Sequence, residues 1–527
     1  MPELYENETK EDIELEVASQ ANDPIYYPQI IGQFAGGSPT DYGNPRLKEV
    51  HVAPGQDIQK ALDGLKEAGG GVLRLLAGTH LPLTDLSVSS DITILGEGIE
   101  STIIDFNGNA SNINFLGTLR TSAGTITVTE GSATIAGVST TFTNYSVDDL
   151  IFLTPNDLNF QAKITAIASD TSMTIEDAWP MPTISGSSSY IVFDAVRNSG
   201  IKNLSIKNSA NTTASLQIRR VSNFIGENVF VYKNTVSRGI SIIDIIDSEF
   251  RNIESSYNGT STSDDGFGIG SSKRTSFYNC SAIGNGYAGF NLFSGGSNEE
   301  NTFYSCLAEG NTQYGFLNNS GASGNSFISC KASGNDDSGF AIYASRAFLL
   351  NCYSLDNGDA GIELNGSPTD VMILNCRLVD NDAYGIDLVG GLANRTNIIA
   401  PFFSGNTSGT LRDNGINTHY SNTGYGTFTA ANGANNNIDV GENKIVRISG
   451  PTAAFNITGV TNTANAKSVI LYNTTAQNMT ITNQATSDDT QQILTGTGAD
   501  VATTGIGQVG LYYDATDKKW ILVGINS

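Results

Sequence analysis

The chain has 527 residues, more than one ordinary core accommodates, so several domains or an extended repeat are required. Only 15% of residues are charged, yet Asp and Glu outnumber Lys and Arg by 53 to 28, leaving a formal charge of -25. Such a surface repels phosphate backbones and anionic lipid, which disfavours nucleic acid and membrane as partners and favours neutral or cationic ones. Frequent Gly (57), modest Pro (13) and abundant Ser, Thr and Asn predict β-structure with many tight turns.

In chain order, "MPELYENETKEDIELE" is acidic where a secretory signal carries positive charge, and no later segment has the apolar run of a membrane span, so neither is expected. Residues 1–48, with "DPIYYPQIIGQF", read as an arm that orders on binding. In 49–116, "DIQKALDGLKEA" places Ile58, Ala61, Leu62 and Leu65 on one helical face, and Gly69 to Gly71 stop the helix before apolar strands. A helix there covers the open end of a sheet stack, which otherwise exposes core and strand edge. Residues 117–195 alternate apolar and polar positions between turn signals, as an inserted small antiparallel barrel does.

Residues 196–416 repeat. Cys280, Cys306, Cys330, Cys352 and Cys376 recur at 22 to 26 residues. Five positions after each stands an Asn (Asn285, Asn311, Asn335, Asn357, Asn381), and nine after each a Gly, followed by Phe290, Phe316, Phe340, Ile362 or Ile386. Regular Leu columns are missing, so leucine-rich repeats are set aside and a β-solenoid is predicted, with equivalent residues stacked about 4.8 Å apart. Cys and the Phe/Ile column point inward; Asn takes a left-handed turn and stacks its amides; Gly lets the chain bend into the next strand. The cysteines read as buried packing, since the three histidines, His51, His80 and His419, are scattered and supply no zinc site. Residues 417–527 carry short alternating strands of a β-sandwich pattern.

The opening "Q-x-A-L" helix and the run Gly70, Gly71, Leu73, Gly78, His80 resemble the pectate-lyase-like family, which implies an all-β, right-handed parallel β-helix. "GVSTTF", "VDDLIF" and "SDTSMTI" resemble small barrel modules of phage tail proteins. "TAAFNITGV", "ILYNTTAQNMTITN" and "KKWILVGI" resemble C-terminal sandwiches of tail fibres and tailspikes, which trimerise and face the host. Arm, β-helix with insert and terminal sandwich together resemble a phage tailspike. The resemblance implies a virion tail location, attachment to tail or baseplate through 1–48, a homotrimer, and host surface polysaccharide as partner.

β-Helix enzymes that act on polysaccharide place acids and bases on outward positions of neighbouring turns. Directly after the inward Phe/Ile column come Asn291, Leu317, Ala341, Glu363 and Asp387, predicted to face outward. Glu363 and Asp387 fall on successive turns at roughly 5 Å, the separation of a retaining glycosidase pair, with Tyr343 and Asn365 lining the same groove. A second pair, Asp264 and Asp265 in "STSDDGFGIG", sits in a lengthened turn that forms a cleft wall. It resembles the paired-Asp element of polygalacturonase-like hydrolases, whose Gly-His-Gly and Arg-x-Lys elements are absent here. A third cluster, Asp336, Asp337, Asp356, Asp359, Asp380 and Asp382, lies in stacked turns beside the Asn column and suits either solvent or Ca²⁺; no other cofactor is implied.

The expected function is therefore a receptor-binding tailspike that engages host surface polysaccharide and cleaves it as a glycoside hydrolase or lyase. The alternatives are a non-enzymatic adhesin or virion spike with the helix as stalk, and a cellular or secreted polysaccharide lyase or hydrolase.

Overall fold

The computed structural model describes residues 25–27, 48–153, 160–187, 189–261, 264–293, 298–389, 393–421, 425–440, 443–461, 468–484, 489–514 and 516–526. Apart from the strand Ile25–Tyr27, which pairs antiparallel with Glu49–Val52, the expected N-terminal arm lies outside them. No described helix is long and apolar enough to cross a membrane. The chain divides into two compact units, the second comprising Met372–Cys376, Asn397–Phe402 and Thr418–Ser527.

The first unit is built on a parallel β-solenoid. One turn comprises Ser276–Tyr278, Ser281–Ile283 and Phe290–Leu292. Its strands pair in parallel with those of the next two turns, Ser276↔Thr302↔Ser326, Ser281↔Leu307↔Lys331 and Phe290↔Phe316↔Phe340. The columns read from the sequence are physical stacks. Phe267, Phe290, Phe316 and Phe340 stack with ring centroids 4.6, 4.9 and 4.9 Å apart. Phe250, Phe277, Phe303 and Phe327 form a second stack at 5.0, 4.6 and 5.1 Å. All five cysteines are free and buried, as expected of a packing column.

The Asn column forms the expected amide stack, but its residues are not the left-handed ones. The Asn side chains are buried in an amide ladder, Asn285 Nδ2 donating to Asn311 Oδ1 at 3.0 Å, Asn311 to Asn335 at 2.9 Å and Asn335 to Asn357 at 2.8 Å. The left-handed residue is the one before each Asn: Gly284, Gly310, Gly334, Asp356 and Asp380, with φ between 52° and 63°. Gly289, Gly315, Gly339 and Gly361 sit at bends that lead into the next strand, as expected, and a second constraint acts on them. A Cβ on Gly315 would lie 2.6 Å from the Gly339 carbonyl oxygen and 2.9 Å from Ala332 Cβ, so close approach of adjacent turns excludes a side chain.

Helix α1 (Ile58–Glu67) begins at Asp57, whose carboxylate accepts from the Lys60 N–H at 3.1 Å, and buries Ile58, Ala61, Leu62 and Leu65. It packs on the parallel strands Glu49–Val52, Gly71–Leu75 and Leu86–Val88.

Residues 118–194 leave the solenoid as an eight-stranded antiparallel sheet that runs in space from Ile184–Ser187 to Thr118–Arg120. Its core gathers Ile126, Phe142, Ile164, Trp179 and Tyr190. The sheet is tied to the solenoid by ion pairs. Arg274 meets Asp177 at 2.9 Å, Glu176 at 2.6 Å and Asp247 at 2.7 Å, while Lys273 reaches Asp177 at 2.8 Å.

In the second unit, Tyr425–Thr429, Ile445–Ser449 and Ser468–Asn473 pair in parallel, as do Gly433–Asn435, Phe455–Ile457 and Met479–Ile481. The hairpin of Gly507–Asp514 and Lys519–Asn526 then adds antiparallel to Ser468–Asn473. Both sheets share a core containing Phe455, Leu471, Met479 and Trp520. The parallel pairing of the first strands is that of successive solenoid turns and differs from the antiparallel order of a sandwich.

Candidate functional site

The outward residues that follow the Phe/Ile column are in register across the turns: Gly268, Asn291, Leu317, Ala341, Glu363, Asp387 and Arg412. They alternate away from the core as the period of two requires. All but Arg412 are nevertheless covered, Glu363 being 8% exposed and Asp387 3%. The cover comes from the chain just before each strand and just after it. Tyr287, Tyr314 and Tyr343 pack over Ala288, Leu317 and Ala341. The rings of Tyr287 and Tyr314 meet edge to face at 6.0 Å.

Beside this aromatic wall stand three carboxylates. Asp337, Asp359 and Glu363 each bring an oxygen within 4.8 Å of the others. Glu363 accepts from Asn365 Nδ2 at 3.0 Å and from Ser338 Oγ at 3.3 Å. Burial raises the pKa of Glu363, and the negative charge of Asp337 adds to the rise, against the Asn365 hydrogen bond. Asp359 is raised by burial and then by Asp337 and Asp387. Such a cluster retains a proton more readily than an isolated carboxylate, the condition for a general acid near neutral pH.

The predicted site residues are thus divided. Glu363, Asn365 and Tyr343 come together at the wall. Asp387 occupies the turn after Glu363, but Arg412 holds it in a two-pronged ion pair, Nε to Oδ1 at 2.6 Å with Nη2 on Oδ2, so it is not a free partner for Glu363. Asp264 does not form a cleft wall. Its Oδ2 accepts the N–H groups of Thr260 at 2.9 Å and Ser261 at 2.7 Å, which spends the carboxylate on bracing its own loop. Asp265 is fully buried, paired with Arg238 Nε at 2.8 Å and accepting from Asn291 Nδ2 at 3.0 Å. Burial pushes its pKa up to about 7 even against the Arg238 charge. Of the acidic-turn cluster, Asp337 and Asp359 join Glu363, whereas Asp356 and Asp380 serve as left-handed turn residues.

No family model and no curated protein matches the chain. Solved structures similar to it include the A-module of Azotobacter vinelandii mannuronan C-5 epimerase AlgE4, at 16% identity and TM-score 0.44 over 69% of this chain and 94% of that one. The Gp54 tailspike of Acinetobacter baumannii bacteriophage AP22, solved in complex with A. baumannii capsular saccharide, is 12% identical with TM-score 0.42, covering 81% and 77%. Tailspike gp61 of Pseudomonas phage phi297 is 10% identical with TM-score 0.41, covering 87% and 89%.

Sequence reasoning missed Tyr287, Tyr314 and Arg412, and placed Asp337 and Asp359 only in a cation or solvent cluster. A signal was present for the aspartates. Two positions before the repeat glycines runs the column Tyr287, Gln313, Asp337, Asp359, Ala383, which flanks the strand column on its outer side. For Arg412 the signal was fainter, because its turn keeps the Asn of the column, Asn406, but has Pro401 in the Cys place and Thr410 in the Gly place.

Proposed function

We propose that the chain is a phage tailspike that binds host cell-surface polysaccharide along the outer wall of its solenoid and hydrolyses it. The observation that carries this reading is one wall holding three tyrosine rings beside Asp337, Asp359 and Glu363. Aromatic faces suit the apolar faces of sugar rings, and a carboxylate group that shares protons suits acid catalysis at a glycosidic bond. In this reading Glu363, the most buried of the three, is the acid, and Asp337 or Asp359 is its ionised partner. The spacing of the three fits the close pairs of retaining glycosidases, whose carboxyl groups stand about 5 Å apart. Residues 1–48 serve as the virion-attachment arm, 49–116 as capped first turns, 117–195 as an inserted barrel, 196–416 as the main β-helix and 417–527 as a trimerising, receptor-facing C-terminal domain.

The test is to incubate the purified protein with capsular polysaccharide and lipopolysaccharide from candidate hosts and follow fragment size, mass and ultraviolet absorbance. Shortened chains without an unsaturated product are expected. Glu363→Gln should then slow cleavage by about 10²–10⁴-fold while binding persists. An unsaturated product means a lyase and overturns the hydrolytic assignment.

A second reading, an adhesin that binds without cutting, is favoured by the pairing of Asp387 with Arg412, of Asp265 with Arg238 and of Asp264 with backbone N–H groups, which leaves one carboxylate cluster rather than several. Binding without shortening across a broad panel selects it.

A further inference from the structure

A second concave site lies on a different sheet of the same unit, nearer its N-terminal turns. It is a groove of about 750 Å³, within the range of small-ligand sites. Its floor is an outward column in parallel register, Ser205↔Phe230↔Glu254↔Ser281. Phe230 and Tyr232, two positions apart on one strand, lie face to face with centroids 4.3 Å apart and planes 17° from parallel. Side chains two apart share a sheet face, so these rings present one aromatic ledge.

One edge of the groove is a ladder of left-handed asparagines, Asn203, Asn228 and Asn252 in the middle of their strands and Asn279 between two strands, with φ between 51° and 56°. Asn228 Nδ2 donates to Asn203 Oδ1 at 3.0 Å, Asn252 to Asn228 at 3.0 Å and Asn279 to Asn252 at 3.4 Å. Each amide has two N–H donors, and the ladder uses one. The other edge is the turn Gly98–Glu100, fixed by the Ser205 hydroxyl donating to the Ile99 carbonyl at 2.5 Å and by the Gly98 N–H on the Asn203 carbonyl at 2.9 Å. The groove is therefore braced on both sides before any ligand arrives, which reduces the ordering cost of binding.

Its charge is one-sided. Glu100 and Glu254 line it, with Ser256 Oγ donating to Glu254 Oε1 at 2.6 Å, and no Lys, Arg or His is among the lining residues. Lys233 Nζ stands 5.9 Å from the Tyr232 ring centroid but outside the lining, so an anionic ligand within the groove would meet two carboxylates. An aromatic ledge, a row of amide donors and two carboxylate acceptors match a ring with one apolar face and equatorial hydroxyl or amino groups.

We propose that this groove is a second glycan-binding site, selective for short neutral or amino-sugar oligosaccharides over uronate-containing ones. The proposal is independent of the tyrosine wall. Two glycan contacts on one chain raise retention on a polymer through effective concentration, without new contacts at the first site.

The test uses the full chain and a panel of maltotriose, chitotriose, chitosan trimer and trigalacturonate, read by saturation-transfer NMR and calorimetry. Neutral or amino-sugar probes are expected to bind and trigalacturonate not to. Tyr232→Ala and Glu254→Gln should each weaken binding by about tenfold, with fold checked by circular dichroism. Glu100→Gln, on an exposed turn, supplies a variant whose folding is not in question. The loss caused by Tyr232→Ala and Glu254→Gln should be the same with and without Tyr343→Ala on the other wall, so failure here and failure of the proposed hydrolase remain distinguishable. Absence of binding by every neutral and amino-sugar probe up to about 10 mM, stronger binding of trigalacturonate, or binding indifferent to Tyr232→Ala, Glu254→Gln and Glu100→Gln together overturns the proposal.

Discussion

The burial of single carboxylates sets the residue-scale energetics of this wall. Asp265 has no exposed surface, and its pKa rises from 3.8 to about 7 because burial outweighs the Arg238 charge. A carboxyl that holds its proton more tightly folded than unfolded favours the fold at low pH. That contribution is lost as pH rises from the unfolded value through the folded one. For a group so buried the span corresponds to a few kcal/mol, about 1.4 for each unit of pKa. Asp265→Asn stays neutral at every pH, although its single oxygen cannot accept from both Arg238 Nε and Asn291 Nδ2. Its melting temperature is therefore expected to change less than that of the parent between pH of about 4 and 7. Parallel melting curves for parent and variant across this range would show that Asp265 is not the group responsible.

Elements in this chain are joined by charge as well as by packing. The antiparallel sheet of residues 118–194 meets the solenoid through a small apolar contact of Leu150, Ala195 and Ile246 and through the cluster of Arg274, Lys273 and Lys163 with Asp177, Asp247 and Glu176. Burial opposes ionisation of Asp177 and Asp247, but hydrogen bonds and charge from Lys273, Arg274 and Lys163 win and lower both pKa values. Depressed acids stabilise the contact above their unfolded pKa, and the contribution disappears as pH falls through the folded values. Arg274→Ala removes the cation shared by three acids. It is expected to increase hydrogen exchange along Phe160–Ser169 at neutral pH while leaving the solenoid turns Phe316–Asn318 and Phe340–Ile342 protected. The difference between parent and variant should shrink in acid. Equal exchange at neutral pH would show that the apolar contact and the remaining pairs Lys163–Asp247, Lys273–Asp177 and Arg197–Asp149 hold the sheet without Arg274.

At the scale of the whole molecule, the solenoid was legible because each turn repeats a sentence: Cys, Asn, Gly and Phe recur at fixed offsets, and parallel register converts offsets into stacks. The wall was half legible. Glu363 and Tyr343 follow from the strand column, whereas the Arg412 clamp on Asp387 joins residues 25 positions apart in a turn without the Cys and Gly markers. Loop bracing by Asp264 was hidden for another reason, since backbone donors carry no residue identity. The Asn column stacks its amides as read, but the left-handed turn falls to the residue before it, and the glycines that bend the chain are held by exclusion of Cβ as well, because sequence periodicity reports which positions are constrained and not every contact that constrains them.

A repeat stack distributes stability between nearest neighbours, so a defect in one turn should spread along the stack by contact. Gly315→Ala supplies such a defect, since the new Cβ would meet the Gly339 carbonyl oxygen at 2.6 Å, backbone that cannot move without shifting the next turn. Overpacking of this kind costs about 1–3 kcal/mol. Hydrogen exchange is expected to rise first in Phe316–Asn318 and its register partners Phe290–Leu292 and Phe340–Ile342, and to stay at the parent level in Thr125–Val128 and Thr134–Val138 of the antiparallel sheet, which pair with each other. A uniform rise across both would mean that the solenoid and the antiparallel sheet unfold as one cooperative block, and nearest-neighbour coupling would then be the wrong description of this chain.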